Sequence, residues 1–280
     1  MRVKTASYLA VAAVSALFAS PALAQDAAPS YTGAYISIFG GYSMPKGGGS
    51  DALIFDRNND GTFGDTVTTS TGADAFSPGF CNGSFATNTP TTGCARAESR
   101  TDYGARLGYD VETGSSLVIG GLIEFNKSEA TESTSAFSTT PAAYAITRRL
   151  DYAVSARARL GVKAGSRALI YATGGGSYAR IKHDFSTTNT ANAFTPSRDR
   201  DMVWGWQAGG GIEYLVTDHF SIGAEYLHSR YRDNKYSVAV TAGTAGPTNA
   251  FLLGGGQTNI KPGRNNLTLD SARVVTSFRF

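Results

Sequence analysis

The sequence predicts an all-β protein, an eight-stranded antiparallel up-and-down transmembrane β-barrel with long extracellular loops and short periplasmic turns. Two observations predict this fold: apolar residues recur with period two over segments of about ten residues, and the connections between these segments alternate between short and long. The composition agrees, because the 280 residues include 33 Gly, 14 Tyr and 15 Phe, and only 17% are charged. With 25 basic and 22 acidic residues, the chain lacks the electrostatic signature of a nucleic-acid-binding protein.

Residues 1–24 are predicted to be a secretory signal peptide, so the predicted barrel comprises residues 25–280. Arg2 and Lys4 precede an apolar run that is too short to span a bilayer as a helix, which takes about 20 residues. The Ala-Leu-Ala sequence at 22–24 then supplies the small residues of a cleavage site. A buried N-terminal helix is the alternative interpretation.

The period-two segments define eight strands. They are predicted at about 33–44, 101–112, 117–127, 147–162, 168–183, 202–215, 220–231 and 266–280. The long connections are about 45–100, 128–146, 184–201 and 232–265. Short turns at one end and long loops at the other, with an even number of strands, are typical of a bacterial outer-membrane barrel, because a closed barrel pairs its main-chain amides within the lipid.

A soluble barrel would show the same periodicity with its apolar residues inside. Charged residues of both signs in the middles of the strands favour the membrane protein, because opposite charges can pair inside a narrow lumen. These residues are Arg106, Glu124, Arg157, Arg159, Arg180, Glu213, Glu225 and Arg273. Aromatic residues at strand ends suggest interfacial girdles: Tyr42, Tyr109, Phe125, Tyr171, Trp204, Tyr214, Tyr226 and Phe278. The interior of an eight-stranded barrel is filled by side chains, so an open channel is not expected.

Several short segments carry a family resemblance. They are Leu150-Asp151-Tyr152, Arg157-Ala158-Arg159-Leu160-Gly161, residues 171–175, residues 209–214, residues 216–218, residues 224–226 and the strand from Arg273 to Phe280. Together they resemble the opacity-like surface-antigen family, in particular the small outer-membrane barrels of alphaproteobacteria. The resemblance implies roles in envelope integrity or host contact rather than catalysis. It also implies insertion by the outer-membrane assembly machinery, with Phe280 as the assembly signal. The first long loop is longer than is usual in the family, so its function cannot be transferred.

The first long loop contains a candidate calcium site. Residues 56–61 read Asp-Arg-Asn-Asn-Asp-Gly and match the opening of a calcium-binding loop, with oxygen ligands at alternate positions and a glycine for the sharp turn. The candidate ligands are Asp56, Asn58, Asp60, the carbonyl of Thr62 and Asp65. Hard oxygen ligands suit Ca²⁺ better than Zn²⁺. The twelfth position is Val67 instead of the usual glutamate, and a solvated Asn-Asp-Gly turn is the alternative. No other cofactor is expected.

The same loop contains the only two cysteines, Cys81 and Cys94. In an exported protein this context predicts a disulfide that makes an exposed loop more rigid. Metal ligation and two free thiols are the alternatives. Redox catalysis is not indicated, because the Cys-x-x-Cys spacing is absent.

No catalytic residue is predicted. His228 adjoins Ser229 and lies near Glu225, which suggests a Ser-His-acid site, but neighbouring residues in a strand point to opposite faces. The other histidines, His183 and His219, have no nucleophile beside them. The expected function is structural and non-enzymatic, in envelope integrity and surface interaction or adhesion. A narrow pore and a lipid-modifying enzyme are the alternatives.

The expected partners follow from the location. Arg230 and Arg232 lie at the predicted outer rim and are candidates for contacts with lipopolysaccharide phosphates, because a guanidinium group binds phosphate in a bidentate manner. A role in solubility is the alternative. The outer membrane, the assembly machinery and an unidentified host or surface receptor are therefore the expected partners, and nucleic acid is not.

Overall fold

A computed structural model describes residues 29–47, 52–95, 98–114 and 116–280, so the predicted signal peptide lies outside the described residues. The described chain consists of β-strands, turns and one short 3-10 helix at Pro90–Thr92. Within these ranges, no helix is long and apolar enough to cross a membrane.

The described residues form sixteen strands. They are β1 (Gly33–Pro45), β2 (Leu53–Asp56), β3 (Gly79–Asn82), β4 (Ser84–Phe85), β5 (Cys94–Ala95), β6 (Arg100–Thr113), β7 (Leu117–Ser128), β8 (Thr131–Ser138), β9 (Ala142–Ala164), β10 (Ala168–Thr187), β11 (Ala193–Pro196), β12 (Arg200–Leu215), β13 (Phe220–Arg232), β14 (Val238–Thr241), β15 (Thr258–Pro262) and β16 (Asn266–Arg279).

Eight long strands close into an antiparallel barrel. They are β1, β6, β7, β9, β10, β12, β13 and β16, and each pairs with the next in the chain. The first and last strands pair from Tyr35 opposite Arg279 to Pro45 opposite Leu269, which closes the barrel. The predicted eight-stranded fold is therefore confirmed. β9 begins at Ala142, five residues earlier than the predicted start at 147, and β10 continues past 183 to Thr187.

The strands turn their apolar faces outward and their charges inward. In β9, Arg157 and Arg159 are buried, whereas Val154 and Leu160 are about half exposed, at 45% and 54%. A soluble barrel has the opposite orientation, so the membrane-spanning alternative is the correct one.

Two predicted assignments to a barrel face were wrong. Arg180 lies on the outer face and pairs with Asp151 at 3.7 Å, and Tyr171 is buried inside instead of joining a girdle. Both residues belong to β10, where three consecutive glycines at 174–176 carry no side chains and therefore hide the alternation.

The predicted alternation of β9 also breaks at one position. Leu150 pairs with Ile181 and Tyr152 pairs with Arg180, so that Asp151 is an extra residue and forms a β-bulge. Because of the bulge, Leu150 is buried inside the barrel and does not share the outward face of Val154.

The long connections fold together into one unit, which we call the extracellular head. Strands β11, β14, β15 and β2 form a four-stranded sheet from the third, fourth and first loops. Strands β8 and β3 extend the barrel sheet beyond β9. A shared apolar core fills the head and includes Leu53, Phe55, Phe76, Tyr144, Val238, Phe251 and Ile260. Loops 128–146 and 232–265, which have no motif in the sequence, thus contain regular strands.

Apolar clusters lie at both ends of the barrel interior. Tyr31, Val118, Leu169, Tyr171 and Leu215 form the cluster at the short-turn end. At the long-loop end, the cluster includes Leu150, Ile181, Val203, Tyr231 and Leu267. Most charged residues of the interior lie between these two clusters, and some lie beside the short-turn cluster, where Leu169 is paired with Glu213 and the Tyr171 ring contacts Arg159.

Candidate functional site

The middle of the barrel interior holds five arginines and five carboxylates, all of them buried. They are Arg106, Arg157, Arg159, Arg273, Arg279, Asp102, Asp110, Glu124, Glu213 and Glu225. Each one takes part in at least one ion pair, and their formal charges cancel. Seven of the eight residues predicted for the lumen belong to this set. The exception is Arg180.

Glu225 and Glu124 are at the centre of the larger group of ion pairs. Arg106 donates two hydrogen bonds to Glu225, at 2.9 and 2.8 Å, and also pairs with Glu124 at 3.0 Å. Arg273 donates to Glu124 at 2.8 Å and also bonds to Asp102. Arg157 contacts both glutamates. Because each carboxylate is shared, the group behaves as a network rather than as isolated pairs.

The smaller group of ion pairs lies around Asp110 and Glu213. Arg159 donates to Asp110 at 2.9 Å and also bonds to Glu213. Arg279 donates to Asp110 at 3.1 Å. The ring of Tyr171 lies 3.9 Å from the guanidinium of Arg159, and its hydroxyl donates to Glu225 at 3.0 Å, so Tyr171 connects the two groups.

Glycines on the inner face make room for the aromatic rings of this layer. A Cβ atom at Gly108 would lie 2.2 Å from the ring of Tyr35, and one at Gly104 would lie 2.6 Å from the ring of Phe39. Phe39 is in turn flanked by the guanidinium groups of Arg106 and Arg273. Paired charges, packed rings and an apolar cluster at either end are the arrangement of a plugged barrel.

A second buried charge cluster joins the barrel to the extracellular head. Arg148 donates to Glu132 at 2.6 Å and to Asp233 at 3.5 Å, and His183 Nε2 lies 3.0 Å from Asp233. The His183 ring stacks on Tyr236 with a centroid distance of 4.3 Å. Burial opposes ionisation of Asp233, but the hydrogen bond and charge of His183, together with Arg148, hold its pKa below the usual value. Arg148 is itself buried, where it binds these two carboxylates.

Two of the predicted calcium ligands support a tight turn in the head. Asp56 is buried, and its carboxylate accepts hydrogen bonds from the main-chain N–H groups of Asp60 and Gly61, both at 3.1 Å. The carboxylate of Asp60 accepts from the N–H of Thr62 at 2.7 Å, and this bond lowers its pKa. The turn is therefore organised by the acidic side chains themselves.

The other two side-chain candidates lie in the same turn. Asn58 donates to the carboxylate of Asp60 at 2.9 Å, and Asp65 accepts from the N–H of Arg57 at 2.8 Å. In the described residues, no three His, Cys, Asp or Glu side chains are grouped to hold a metal ion. The predicted calcium ligands also include the Asn58 side chain and the main-chain carbonyl of Thr62, which are not among these four types of side chain. Calcium binding thus stays a prediction.

The predicted disulfide is present. Cys81 and Cys94 are bonded, with their Cα atoms 6.2 Å apart. Cys81 lies in β3, opposite Ser135 of β8, and Cys94 lies in β5, opposite Phe85 of β4. The bond therefore fastens the small β4–β5 hairpin to the sheet that extends from the barrel.

Arg230 and Arg232 project from the outer face at the long-loop end of β13. Both are exposed, and the intervening Tyr231 points inward. In the part of the chain that the structure describes, neither guanidinium pairs with a carboxylate. Their contact with lipopolysaccharide stays a prediction.

None of the three histidine rings is bonded to a nucleophile. His228 Nδ1 lies 2.6 Å from Asp270, His219 Nδ1 lies 3.0 Å from the carbonyl oxygen of Arg279, and His183 binds Asp233. Ser229 is buried inside the barrel, whereas His228 faces outward.

The terminal Phe280 is exposed at the short-turn end of the barrel. Its N–H donates to the carbonyl of Ala34 at 2.9 Å, and its ring contacts Phe278 at a centroid distance of 5.3 Å. Its role as an assembly signal stays a prediction.

Several known proteins are similar to this chain. A family model described as outer membrane protein beta-barrel domain matches residues 9–254. The 31 kDa outer-membrane immunogenic protein of Brucella melitensis is 28% identical over 233 residues, covering 78% of this chain and 85% of that protein. The protein of the same name from Brucella suis has the same values. The crystal structure of OprG from Pseudomonas aeruginosa aligns with a TM-score of 0.50 and 12% identity, covering 91% of this chain and 100% of that chain.

The family match spans most of the barrel, and the outward apolar face and buried charges described above agree with it. The relative from Brucella is itself named as an outer-membrane protein and an immunogen. The chain therefore belongs to the outer-membrane β-barrel family and is a surface-antigen-like protein of the outer membrane of a Gram-negative bacterium.

Proposed function

We propose that this protein is a structural, non-enzymatic barrel that contributes to envelope integrity and presents its head for contact with other surfaces. The head is the observation that carries the proposal. Three of the four long loops contribute strands to one sheet, and all four contribute side chains to one apolar core. A scaffold alone does not need such loops, whereas a preorganised surface loses less conformational entropy on binding.

A catalytic role has less support. Nucleophilic catalysis needs a hydroxyl or thiol activated by a nearby base, and each histidine ring here binds a carboxylate or a main-chain carbonyl. An acyl-release assay on purified lipid A should therefore give no product above the background of the refolding detergent.

Surface contact is tested by disrupting the core of the head without touching the barrel strands. Phe55 and Phe76 are buried there with their ring centroids 4.4 Å apart, so Phe55→Ala/Phe76→Ala removes about 3–5 kcal/mol of packing per site. Bacteria that display this variant should adhere to epithelial monolayers several-fold less than bacteria with the wild-type protein. Phe63→Ala is the matched control, because Phe63 lies in the same loop, is only half-buried and contacts Lys261.

Heat-modifiable electrophoretic mobility would show that the barrel of each variant has folded. If the Phe55→Ala/Phe76→Ala variant adhered as well as wild type, or if wild type adhered no better than bacteria without the protein, surface contact would be excluded as the function.

Lipopolysaccharide is the proposed membrane partner, and the positions of Arg230 and Arg232 support it. Two exposed, outward-facing guanidinium groups at the long-loop end match the level at which lipid phosphates lie. Arg230→Gln/Arg232→Gln should retain several-fold less lipopolysaccharide through purification, measured as phosphate per barrel. Lys235→Gln/Lys261→Gln removes the same charge from the head and should retain the wild-type amount. Equal retention by both variants would refute the contact.

A further inference from the structure

The tips of all four extracellular loops meet around one pocket of about 430 Å³. Its walls come from residues 69–70 and 75–76 of the first loop, from 138–140 and 144 of the second, from 189 and 191 of the third, and from 245–246 and 248–251 of the fourth. The volume lies in the range of small-molecule sites, about 300–1,000 Å³. Because the four segments are separated in the sequence, the pocket exists only when the whole head is folded.

The lining of this pocket is free of charge. Of its sixteen residues, half are Ser, Thr or Asn, and the others are Gly, Ala or aromatic. Phe76, Tyr144 and Phe251 pack together beneath it, with ring centroids 5.6–5.8 Å apart. These rings are almost fully buried, so the apolar surface open to a ligand includes the partly exposed Ala245 and Ala250 beside them, and the pocket combines this apolar floor with a polar, uncharged wall.

Several hydroxyl groups of the wall are available to a ligand. The side chains of Thr139, Thr140 and Thr248 are exposed, and in the described part of the chain their hydroxyls make no hydrogen bond to protein. Hydroxyl groups both donate and accept hydrogen bonds, so they suit a ligand that itself carries hydroxyls.

The walls of the pocket are held in place by amide side chains. Asn189 of the third loop donates to the Tyr144 hydroxyl of the second loop at 3.0 Å. Asn192 and Asn249 bond to each other across the third and fourth loops, at 3.1 and 3.3 Å. Asn192 is buried and also accepts a hydrogen bond from Asn189 at 3.0 Å. This chain of amides fixes the relative positions of three loops, so binding would require little further ordering.

We propose that this pocket binds one neutral sugar unit of a surface glycan. A charged ligand would lose its hydration without gaining an opposite charge, and a purely apolar ligand would leave the hydroxyl and amide groups without partners. A neutral pyranose satisfies both conditions, because its hydroxyls bond to the wall and its C–H face packs on the apolar floor. This inference rests on the proposed function in surface contact and gives that contact a ligand class.

The test uses the refolded mature chain and saturation-transfer NMR. The probes are glucose, galactose, mannose and N-acetylglucosamine, with glucuronic acid and glucosamine as charged counterparts. At least one neutral sugar should bind saturably, and its charged counterparts should bind about tenfold more weakly or not at all.

Two variants address the pocket in different ways. Thr139→Val/Thr140→Val removes two hydroxyls at nearly constant volume and should weaken binding about tenfold. Gly246→Phe should abolish binding by filling the pocket, since a Cβ atom at Gly246 meets no atom within 4 Å. Thr190→Val is the matched control, because Thr190 is an exposed threonine of the third loop that does not line the pocket.

The inference is overturned if no neutral sugar binds wild type, if both pocket variants bind as wild type does, or if the charged sugars bind equally well. The experiments distinguish failure of the sugar site from failure of the proposed function in surface contact. Adhesion that depends on the core of the head but not on neutral sugars would refute the sugar site alone. Sugar binding without any adhesion by wild type would refute the function in surface contact and leave the site standing.

Discussion

Glu225 illustrates how a buried carboxylate is stabilised by its neighbours inside the barrel. It is contacted by Arg106, Arg157, Arg273 and the hydroxyl of Tyr171, and it has no exposed side-chain surface. A buried carboxylate is costly unless it is paired, and the removal of one partner leaves the others uncompensated. The stability of this layer therefore depends on complete pairing.

Replacement of the Glu225 carboxylate by an amide tests whether the stability of this layer depends on complete pairing. Glu225→Gln leaves three arginines with one carboxylate fewer, so we expect a loss of about 3–5 kcal/mol in the free energy of unfolding. Urea unfolding of the refolded protein in lipid vesicles measures it. Glu129→Gln is the control, because Glu129 pairs with Lys127 at 3.2 Å at an exposed site and should cost about 1 kcal/mol or less. Equal losses would show that the network is not cooperative.

The predicted calcium site depends on a few side chains, and the geometry of the turn decides which substitutions can test it. Asp56 and Asp60 both accept main-chain hydrogen bonds, so alanine substitutions would disrupt the turn whether or not it binds calcium. Asp56→Asn/Asp60→Asn keeps acceptor oxygens and removes only the charge. Calorimetric titration of wild type should give saturable heat with a dissociation constant of about 10⁻⁴–10⁻³ M, and the double variant should give none. No heat from wild type would leave a plain Asn-Asp-Gly turn.

At the scale of elements, the period-two recurrence of apolar residues located strands reliably only where one face of the strand is buried. All eight barrel strands were located from it, within a few residues of their ends. In β8 and in the first residues of β9, both faces are buried, one of them by the head. Alternation disappears there because side chains on both faces are buried, and in β8 most of them are small polar residues, such as Ser133 and Ser135, whose hydroxyls are hydrogen-bonded within the protein. For the same reason, the sequence could not show that the loops share a core.

The junction of barrel and head should depend on pH through Asp233. Its pKa is held below the usual aspartate value, so the stability it contributes is fully present above that value, about pH 4, and is lost as the pH falls through the folded pKa. The thermal unfolding temperature of wild type should therefore fall more steeply between about pH 5 and pH 2 than that of Asp233→Asn. Asp184→Asn, an exposed neighbour, should follow wild type. Parallel profiles for all three proteins would exclude this role.

At the scale of the whole molecule, apolar and charged layers alternate along the barrel axis. The apolar cluster at the short turns adjoins the paired charges, and above them lie a second apolar cluster, the charged junction around Asp233 and the apolar core of the head. The sequence predicted the charged layer, because charges in mid-strand have nowhere else to be buried. It did not predict the loop-tip pocket, since residues 69–76 and 245–251 meet only through the folding of the whole head.

From these layers we expect that the barrel does not conduct ions. A continuous water path would have to cross two apolar clusters and a layer in which every charge is already paired, so wild type in a planar bilayer should show no steady conductance. The Phe55→Ala/Phe76→Ala variant separates the two places where a seal could lie. If the seal is in the barrel, this variant is as silent as wild type. Current through the variant alone would place the seal in the head. Reproducible conductance steps from wild type would instead favour the narrow-pore alternative, because they require a water path through the layer of paired charges.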